Sequence, residues 1–194
     1  ADHMNYYTPD QAEREKRLTA LREFDEYNRR VLTAVFALFG TPDTYLDMGC
    51  GSGAMTNYAR RCGVDAVGVD ILATPPDVKH DLREPVHLHR IFQLVTSIEV
   101  AEHLPEESAP VFCDSIARHM TTGGVLVFTA ALPGQPGHNH VNTKPPYYWR
   151  EHFANVGLSY WEPVTVKLAL LWTYTCGSLM HLPANLQVFH KGGG

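Results

Sequence analysis

The segment Tyr45-Leu-Asp-Met-Gly-Cys-Gly-Ser-Gly53 constrains this chain more than any other. An apolar run enters three glycines at alternate positions, and a helix-compatible stretch opens at Ala54. Glycines at that spacing permit a tight turn and let a ligand approach the backbone beside a helix N-terminus. A strand, glycine turn and helix in succession belong to an open α/β sheet, where ligands bind at the carboxyl ends of the strands. Gly49, Gly51 and Ala54 also satisfy the dinucleotide pattern GxGxxG/A, so a nicotinamide-dependent enzyme competes for the same segment.

The rest of the chain supplies the remainder of such a sheet. Thr44–Gly49, Ala66–Ile71, Phe92–Val100 and Val125–Ala131 are short apolar runs bounded by Gly, Pro or charge and read as buried strands, with Val78–Leu82 as a further short one. Ala54–Cys62, Glu106–Met120 and Tyr147–Val156 read as helices closing on Gly63, Gly123 and Gly157. Upstream, residues 9–40 read as one long helix. Asp10 and Glu13 form a capping-box-like start, and Leu18, Leu21, Phe24, Tyr27, Val31, Val35 and Leu38 recur at helical spacing. Leu158–Val164 and Asn185–His190 read as two last strands flanking an apolar connection at residues 167–183. Strands alternating with helices predict an α/β fold, a Rossmann-like doubly wound sheet, mostly parallel, with helices on both faces.

Composition narrows the partners. The 194 residues are 44% hydrophobic and 19% charged, which builds a globular core and excludes a disordered or coiled-coil chain. Sixteen Lys and Arg against 21 Asp and Glu leave a net charge of −5, which weighs against a broad nucleic-acid or anionic-membrane footprint. Four cysteines without CxxC pairing point to a reducing, cytoplasmic compartment. Residues 1–17 hold no apolar signal core, and the longest apolar stretch, from Leu168 toward Met180, is too short and interrupted to span a bilayer. The expected partner is a small-molecule acceptor rather than nucleic acid or a membrane. Nothing in the sequence specifies the oligomeric state.

The acids around the glycines favour a ligand other than a dinucleotide. Asp47 lies two residues before the first glycine, where a carboxylate repels a pyrophosphate and attracts an ammonium group. Asp70, ending Ala66-Val-Gly-Val-Asp-Ile71, suits the two hydroxyls of a ribose, and Asp81-Leu82 suits the edge of an adenine. With LDMGCGSG, GVDI, FQLVTSIEVAEHLPEE and GGVLVFTAALPG in order, the chain resembles the class I S-adenosylmethionine-dependent methyltransferases over about residues 41–190. The resemblance implies a seven-stranded sheet with the last strand antiparallel, and S-adenosyl-L-methionine as cofactor. It implies that Asp47 and the backbone of Gly49, Gly51 and Gly53 hold the methionine part. Asp70, with Ile71 beside it, would take the ribose, Asp81 and Leu82 the adenine, and Ser97 and Ile98 would flank the sulfonium. Residues 1–40 then form an N-terminal helical cap, with Tyr6 or Tyr7 as a lid. Residues 41–191 form the methyltransferase domain, and residues 192–194 a linker or tail.

Eleven histidines are many for this length, and two loops concentrate the informative ones. Glu99-Val-Ala-Glu102-His103 lies where the fourth strand ends, and His138-Asn-His140-Val-Asn142 follows the fifth strand after Pro133-Gly-Gln-Pro-Gly137. Both loops fall at the carboxyl edge, facing one cavity. Two carboxylates and one or two imidazoles make an oxygen and nitrogen donor set for Mg²⁺ or Mn²⁺, which would lower the pKa of an acceptor hydroxyl. The segment is similar to that of small-RNA 3′-terminal 2′-O-methyltransferases, which implies Glu99, Glu102, His103 and His140 as metal ligands. Leu104 stands where those enzymes carry a second adjacent histidine, and Asn142 with Tyr147-Tyr-Trp149 departs from their spacing. Ubiquinone-pathway O-methyltransferases also carry E-x-x-E-H segments, where the residues cap a helix or touch cofactor. His140 therefore stands open between metal ligand, metal-free base or acceptor contact, and structural residue. His103 and His140 are the candidate catalytic residues. The leading expectation is O-methylation of a small-molecule or sugar-type hydroxyl. A metal-dependent RNA 2′-O-methyltransferase and a non-catalytic S-adenosylmethionine-binding subunit are the alternatives.

Overall fold

Successive strand residues send their side chains to opposite faces of a sheet, and this chain buries both faces. A computed structural model describes residues 26–71, 77–176 and 181–192. Within them the strands are β1 (Thr44–Met48), β2 (Asp65–Asp70), β3 (Val78–Lys79), β4 (Phe92–Ile98), β5 (Met120–Thr129), β6 (Leu158–Tyr160) and β7 (Leu186–Lys191). They form a seven-stranded sheet in the order β3-β2-β1-β4-β5-β7-β6. β1 pairs in parallel with β2 and β4, and β4 with β5, whereas β7 runs antiparallel to both β5 and β6. The expected architecture is therefore present.

The helices are α1 (residues 26–39), α2 (Ala54–Arg61), α3 (Ala109–Arg118), α4 (Pro146–Asn155), α5 (Glu162–Thr175) and α6 (His181–Asn185). On one face Leu46, Met48, Leu126, Phe128 and Phe189 pack with Phe112 and Ile116 of α3 and Trp149 and Phe153 of α4. On the other, Tyr45, Leu94, Val127 and Val188 pack with Val31 and Val35 of α1, Met55 and Ala59 of α2, and Leu168 and Trp172 of α5. The indole Nε1 of Trp172 donates to the carbonyl of Val31 at 3.2 Å, tying α5 to α1. Two buried layers of large side chains on either side of one sheet hold the strand ends in place.

Several element boundaries differ from the expectation. The strand expected over Leu158–Val164 stops at Tyr160 because Pro163 sits in the first turn of α5, a position that proline favours. The apolar connection at 167–183 is mostly the continuation of that helix, followed by α6 after residues 177–180. β5 begins at Met120, earlier than expected, and its pairing with β4 shifts register between Phe92 and Leu94, which accommodates the Thr-Thr-Gly-Gly segment. The expected helix over Glu106–Met120 opens as a 3₁₀ turn, Glu106–Ser108, before α3. The expected capping box at Asp10 and Glu13, the Tyr6 or Tyr7 lid and residues 9–25 of the long helix lie outside the described residues. No described helix is long and apolar enough to cross a membrane.

Candidate active site

β1 has β2 on one side and β4 on the other, so the chain leaves the centre of the sheet in opposite directions. That topology opens a crevice at the carboxyl ends of β1 and β4. The glycine loop and the Glu99–His103 segment both fall there.

On the β1 side the loop is held by its own backbone. The N–H groups of Gly49 and Cys50 donate to the carbonyl of Val69 at 2.8 and 3.2 Å, and Gly53 N–H donates to the carbonyl of Cys50 at 2.8 Å. Gly51 N–H donates to Asp70 Oδ2 at 2.8 Å. Gly49, Gly51 and Gly53 have φ of +96°, +51° and +77°, the left-handed region that glycine enters without strain. A Cβ on Gly49 would lie 2.3 Å from Val100 Cγ2, so the loop closes against the segment leaving β4, while above Gly51 there is open space. These N–H groups are spent inside the loop. What remains for a ligand is the space above Gly51 and the first-turn N–H groups of α2, which carries no acid in its first turn.

Asp47 is buried below this loop. Tyr45, Thr96 and Asp47 form a buried chain, with Tyr45 Oη 2.7 Å from Thr96 Oγ1 and Thr96 Oγ1 donating to Asp47 Oδ1 at 2.8 Å. Burial pushes the Asp47 carboxyl up to about 7, the Asp70 charge adds to the rise, and the hydrogen bond from Thr96 opposes it. A cationic ligand beside Asp47 would relieve this unfavourable burial. Asp70 is nearly buried at the end of β2, and Ile71 beside it is 53% exposed, a large apolar side chain open at the crevice. Asp81 lies in the turn after β3. Arg83 binds its carboxylate through the backbone N–H at 3.0 Å and the guanidinium at 2.5–3.0 Å, and this hydrogen bonding holds its pKa below the usual carboxylate range. Leu82 is buried in the core. Ser97 is fully buried at the end of β4 with its hydroxyl unpartnered among the described residues, and Ile98 is half-buried against the α1, α2 and α5 face.

Beyond β4 the chain makes an unusual turn. Glu99 has φ +54°, a left-handed conformation that a glutamate rarely adopts. Its N–H is pinned to Thr129 Oγ1 at 2.9 Å. The 3₁₀ turn Ala101–His103 follows, and the carbonyl of Glu102 accepts the N–H groups of Val141 at 2.9 Å and Asn142 at 3.0 Å. That bridge docks the loop after β5 onto the turn after β4 and brings His140 to His103, with ring centroids 5.1 Å apart. One ligand atom from each of Glu102, His103 and His140 lies within 4.8 Å of the others. His103 Nδ1 is 3.2 Å from the carbonyl of Asn139 and His140 Nδ1 is 3.2 Å from the carbonyl of Gln135. A carbonyl only accepts, so each Nδ1 carries the proton and each Nε2 keeps its lone pair. Glu102 is fully buried, and neither of its oxygens meets a partner in hydrogen-bond geometry among the described residues. Burial and the neighbouring Glu99 charge push its carboxyl up to about 8.

Three of the four expected ligands thus converge. Glu99 does not join their ligand atoms; its Oε1 accepts a hydrogen bond from Asn185 Nδ2 at 3.1 Å. Residue type and spacing assigned no site role to Asn185, to Thr96 or to Gly137, where a Cβ would lie 2.1 Å from the His140 ring. His138, His87 and His89 are exposed. A separate cavity of about 630 Å³, lined by Phe39, Gln93, Thr121 and Trp161 among others, opens at the amino-terminal edge of the strands, away from these groups.

A family model described as a methyltransferase domain matches residues 20–176. The chain belongs to that family. A ubiquinone biosynthesis O-methyltransferase of Pseudomonas fluorescens is 28% identical over 121 residues, 59% of this chain and 50% of that protein. The match spans about half the length of the curated relative. Among solved structures, the sugar N-methyltransferase KedS8 from a Streptoalloteichus species is similar over 100% of this chain and 98% of its own, with a TM-score of 0.66 and 16% identity. An O-methyltransferase from a trans-AT PKS multienzyme of Brevibacillus brevis, solved with S-adenosyl-L-homocysteine, is similar over 97% of this chain and 81% of its own, with a TM-score of 0.61 and 13% identity. These likenesses establish the methyltransferase fold for this chain.

Proposed function

We propose that the chain transfers a methyl group from S-adenosylmethionine to a hydroxyl of a small molecule. The observation that carries this reading is the close packing of Gly49 on Val100, which joins the loop after buried Asp47 to the segment that carries Glu102 and His103 beside His140. The first half suits the cofactor. Asp47 takes the ammonium, the open space over Gly51 and the carbonyl of Gly49 admit the methionine chain, Asp70 takes the ribose, and exposed Ile71 covers an adenine face. Leu82 contributes its backbone, and Asp81, held by Arg83, sets the turn that carries it. Ser97 and Ile98 line the path from the pocket to the cluster.

Bound there, S-adenosylmethionine supplies a methyl group already activated on a sulfonium. The protein's task is alignment, worth roughly 7–11 kcal/mol when reacting atoms are held in line. A hydroxyl must also lose its proton, and Nε2 of His103 or His140 offers a lone pair to take it. The new oxygen–carbon bond forms as the sulfur–carbon bond breaks, and the hydroxyl proton remains on the imidazole.

The cluster also supports a second reading, in which a divalent metal assists. The donor set fits one, because Glu102 is a buried carboxyl whose oxygens meet no partner in hydrogen-bond geometry among the described residues, and two imidazoles offer nitrogen lone pairs. Two nitrogens in the set favour Mn²⁺ over Mg²⁺. Glu102, His103 and His140 would hold the ion, which would lower the pKa of the acceptor hydroxyl. The net charge of −5 favours a small acceptor over RNA, and four unpaired cysteines favour a cytoplasmic protein.

Labelled S-adenosylmethionine offered with matched hydroxyl and amine acceptors and with RNA, with and without EDTA, tests the reading. Transfer to a hydroxyl of a small molecule is expected. Transfer confined to amines or to RNA contradicts the acceptor assignment, and loss with EDTA restored by Mn²⁺ selects the metal-assisted form. No transfer to any acceptor, with S-adenosylhomocysteine still bound, would make this a non-catalytic binding subunit.

A further inference from the structure

Buried polar atoms without partners cost free energy unless a ligand satisfies them. Outside the histidine cluster, two such atoms gather around Glu99 from distant parts of the chain. Asn185, the last residue of α6, is 2% exposed; its Nδ2 donates to Glu99 Oε1 at 3.1 Å while its Oδ1 has no partner among the described residues. Rotating the amide would set its oxygen against the carboxylate, so the orientation is fixed by charge. Tyr27 of α1 is 8% exposed, and its hydroxyl is likewise unpartnered among the described residues. Tyr27 lies in the same buried layer as Cys176, Leu182 and Leu186, the last two on either side of Asn185 in the chain, and the Glu99 carboxylate adds to the rise that burial gives its phenol. Glu99 itself is held in left-handed backbone by Thr129, and its charge reaches Glu102 on the other side. Left-handed backbone at a non-glycine residue is strain that concentrates at ligand sites.

We infer that Tyr27, Glu99 and Asn185 form the wall that reads the methyl acceptor, a subsite for two adjacent hydrogen-bond donors such as a vicinal diol or a hydroxyl beside an amine. The inference rests on the methyl-transfer reading and names its substrate class. Asn185 Oδ1 and the Glu99 carboxylate accept only, and the Tyr27 hydroxyl both donates and accepts. A ligand with two neighbouring O–H or N–H groups satisfies Asn185 Oδ1 and Glu99 together and leaves one lone pair for Tyr27. A carboxylate or ester would set acceptor against acceptor and leave these atoms unpaired. Such polar pairing discriminates against an analogue lacking the donor far more sharply than an apolar wall does.

The test uses rigid probes on the full chain saturated with S-adenosylhomocysteine: catechol with two adjacent donors, phenol with one, and benzoate with none at neutral pH. Calorimetry or ligand-detected NMR is expected to rank catechol at least about tenfold above phenol, with benzoate silent. Tyr27→Phe removes an oxygen that has no partner among the described residues, so the fold tolerates it, and the catechol preference should fall. Asn185→Ala should erase it. S-adenosylhomocysteine affinity should stay within about twofold in both variants. Equal binding of catechol and phenol, binding of benzoate, no probe binding, or a large loss of S-adenosylhomocysteine affinity in Tyr27→Phe would each overturn the inference. A catechol preference that persists in a protein with no affinity for S-adenosylhomocysteine would instead keep the subsite and remove the methyl-transfer reading.

Discussion

On the β1 side of the crevice the glycine loop spends its N–H groups on Val69, Cys50 and Asp70, and the buried chain from Tyr45 through Thr96 ends on Asp47. Across from it, beyond β4 and β5, polar groups have no hydrogen-bond partner among the described residues: both oxygens of Glu102, the hydroxyls of Ser97 and Tyr27, and Oδ1 of Asn185. The contrast teaches how the two halves are made. The donor half is prebuilt, so its ligand meets a finished surface. The acceptor half is held in strained backbone at Glu99 and Asn139 and completed by whatever binds it.

If that division is right, substitutions should separate the halves. The largest effect is expected for Asp47→Ala. It removes a buried carboxylate from an ammonium, a loss of about 3–5 kcal/mol, and should weaken S-adenosylhomocysteine by about a hundredfold or more in calorimetry. Gly137→Ala acts on the other half. Its methyl would occupy the place of the His140 ring and push the imidazole out of the cluster. Turnover should fall by about 10–100-fold with S-adenosylhomocysteine affinity unchanged, and loss of both together would break the division.

The smallest and most graded effect is that of pH. Asp47 has its pKa raised to about 7 in the free protein, and an ammonium ligand requires its charged form. Below pH 7 binding must first strip a proton, so affinity should fall by up to about tenfold per pH unit and level off above 7. Asp47→Asn should bind weakly with that slope gone. The same raised pKa means that the ligand-free fold holds this proton between about pH 4 and 7 while the unfolded chain releases it. Its contribution to stability therefore declines as pH rises through that window, and thermal melts of wild type and Asp47→Asn should diverge there.

The donor half was legible because its structure is local. Glycine spacing, the flanking strand and the opening helix lie within residues 44–61, and the sheet order follows from short apolar strands with helices between them. The acceptor half was legible as two loops expected to face one cavity. His103 and His140 could be singled out, but their meeting depends on Val141 and Asn142 bonding the carbonyl of Glu102, which no spacing reveals. Glu99 looked like Glu102 in sequence, yet it sits in left-handed backbone and its Oε1 accepts from Asn185 rather than joining the two histidines. α5 escaped because its apolar residues run around the helix, with Leu168 and Trp172 buried but Val166, Leu170 and Tyr174 exposed, so no clean helical stripe appears. Pro163 and the register shift in β4–β5 moved the strand ends for reasons of turn geometry and pairing, which lie outside hydrophobic pattern.

A crystal structure with S-adenosylhomocysteine bound addresses the division of the crevice most directly. The amino group should lie within hydrogen-bond reach of Asp47, the ribose at Asp70, and the sulfur should point past Ser97 toward Glu102, His103 and His140. A nucleoside lodged among Tyr27, Glu99 and Asn185, or a sulfur turned away from the two histidines, would contradict the account.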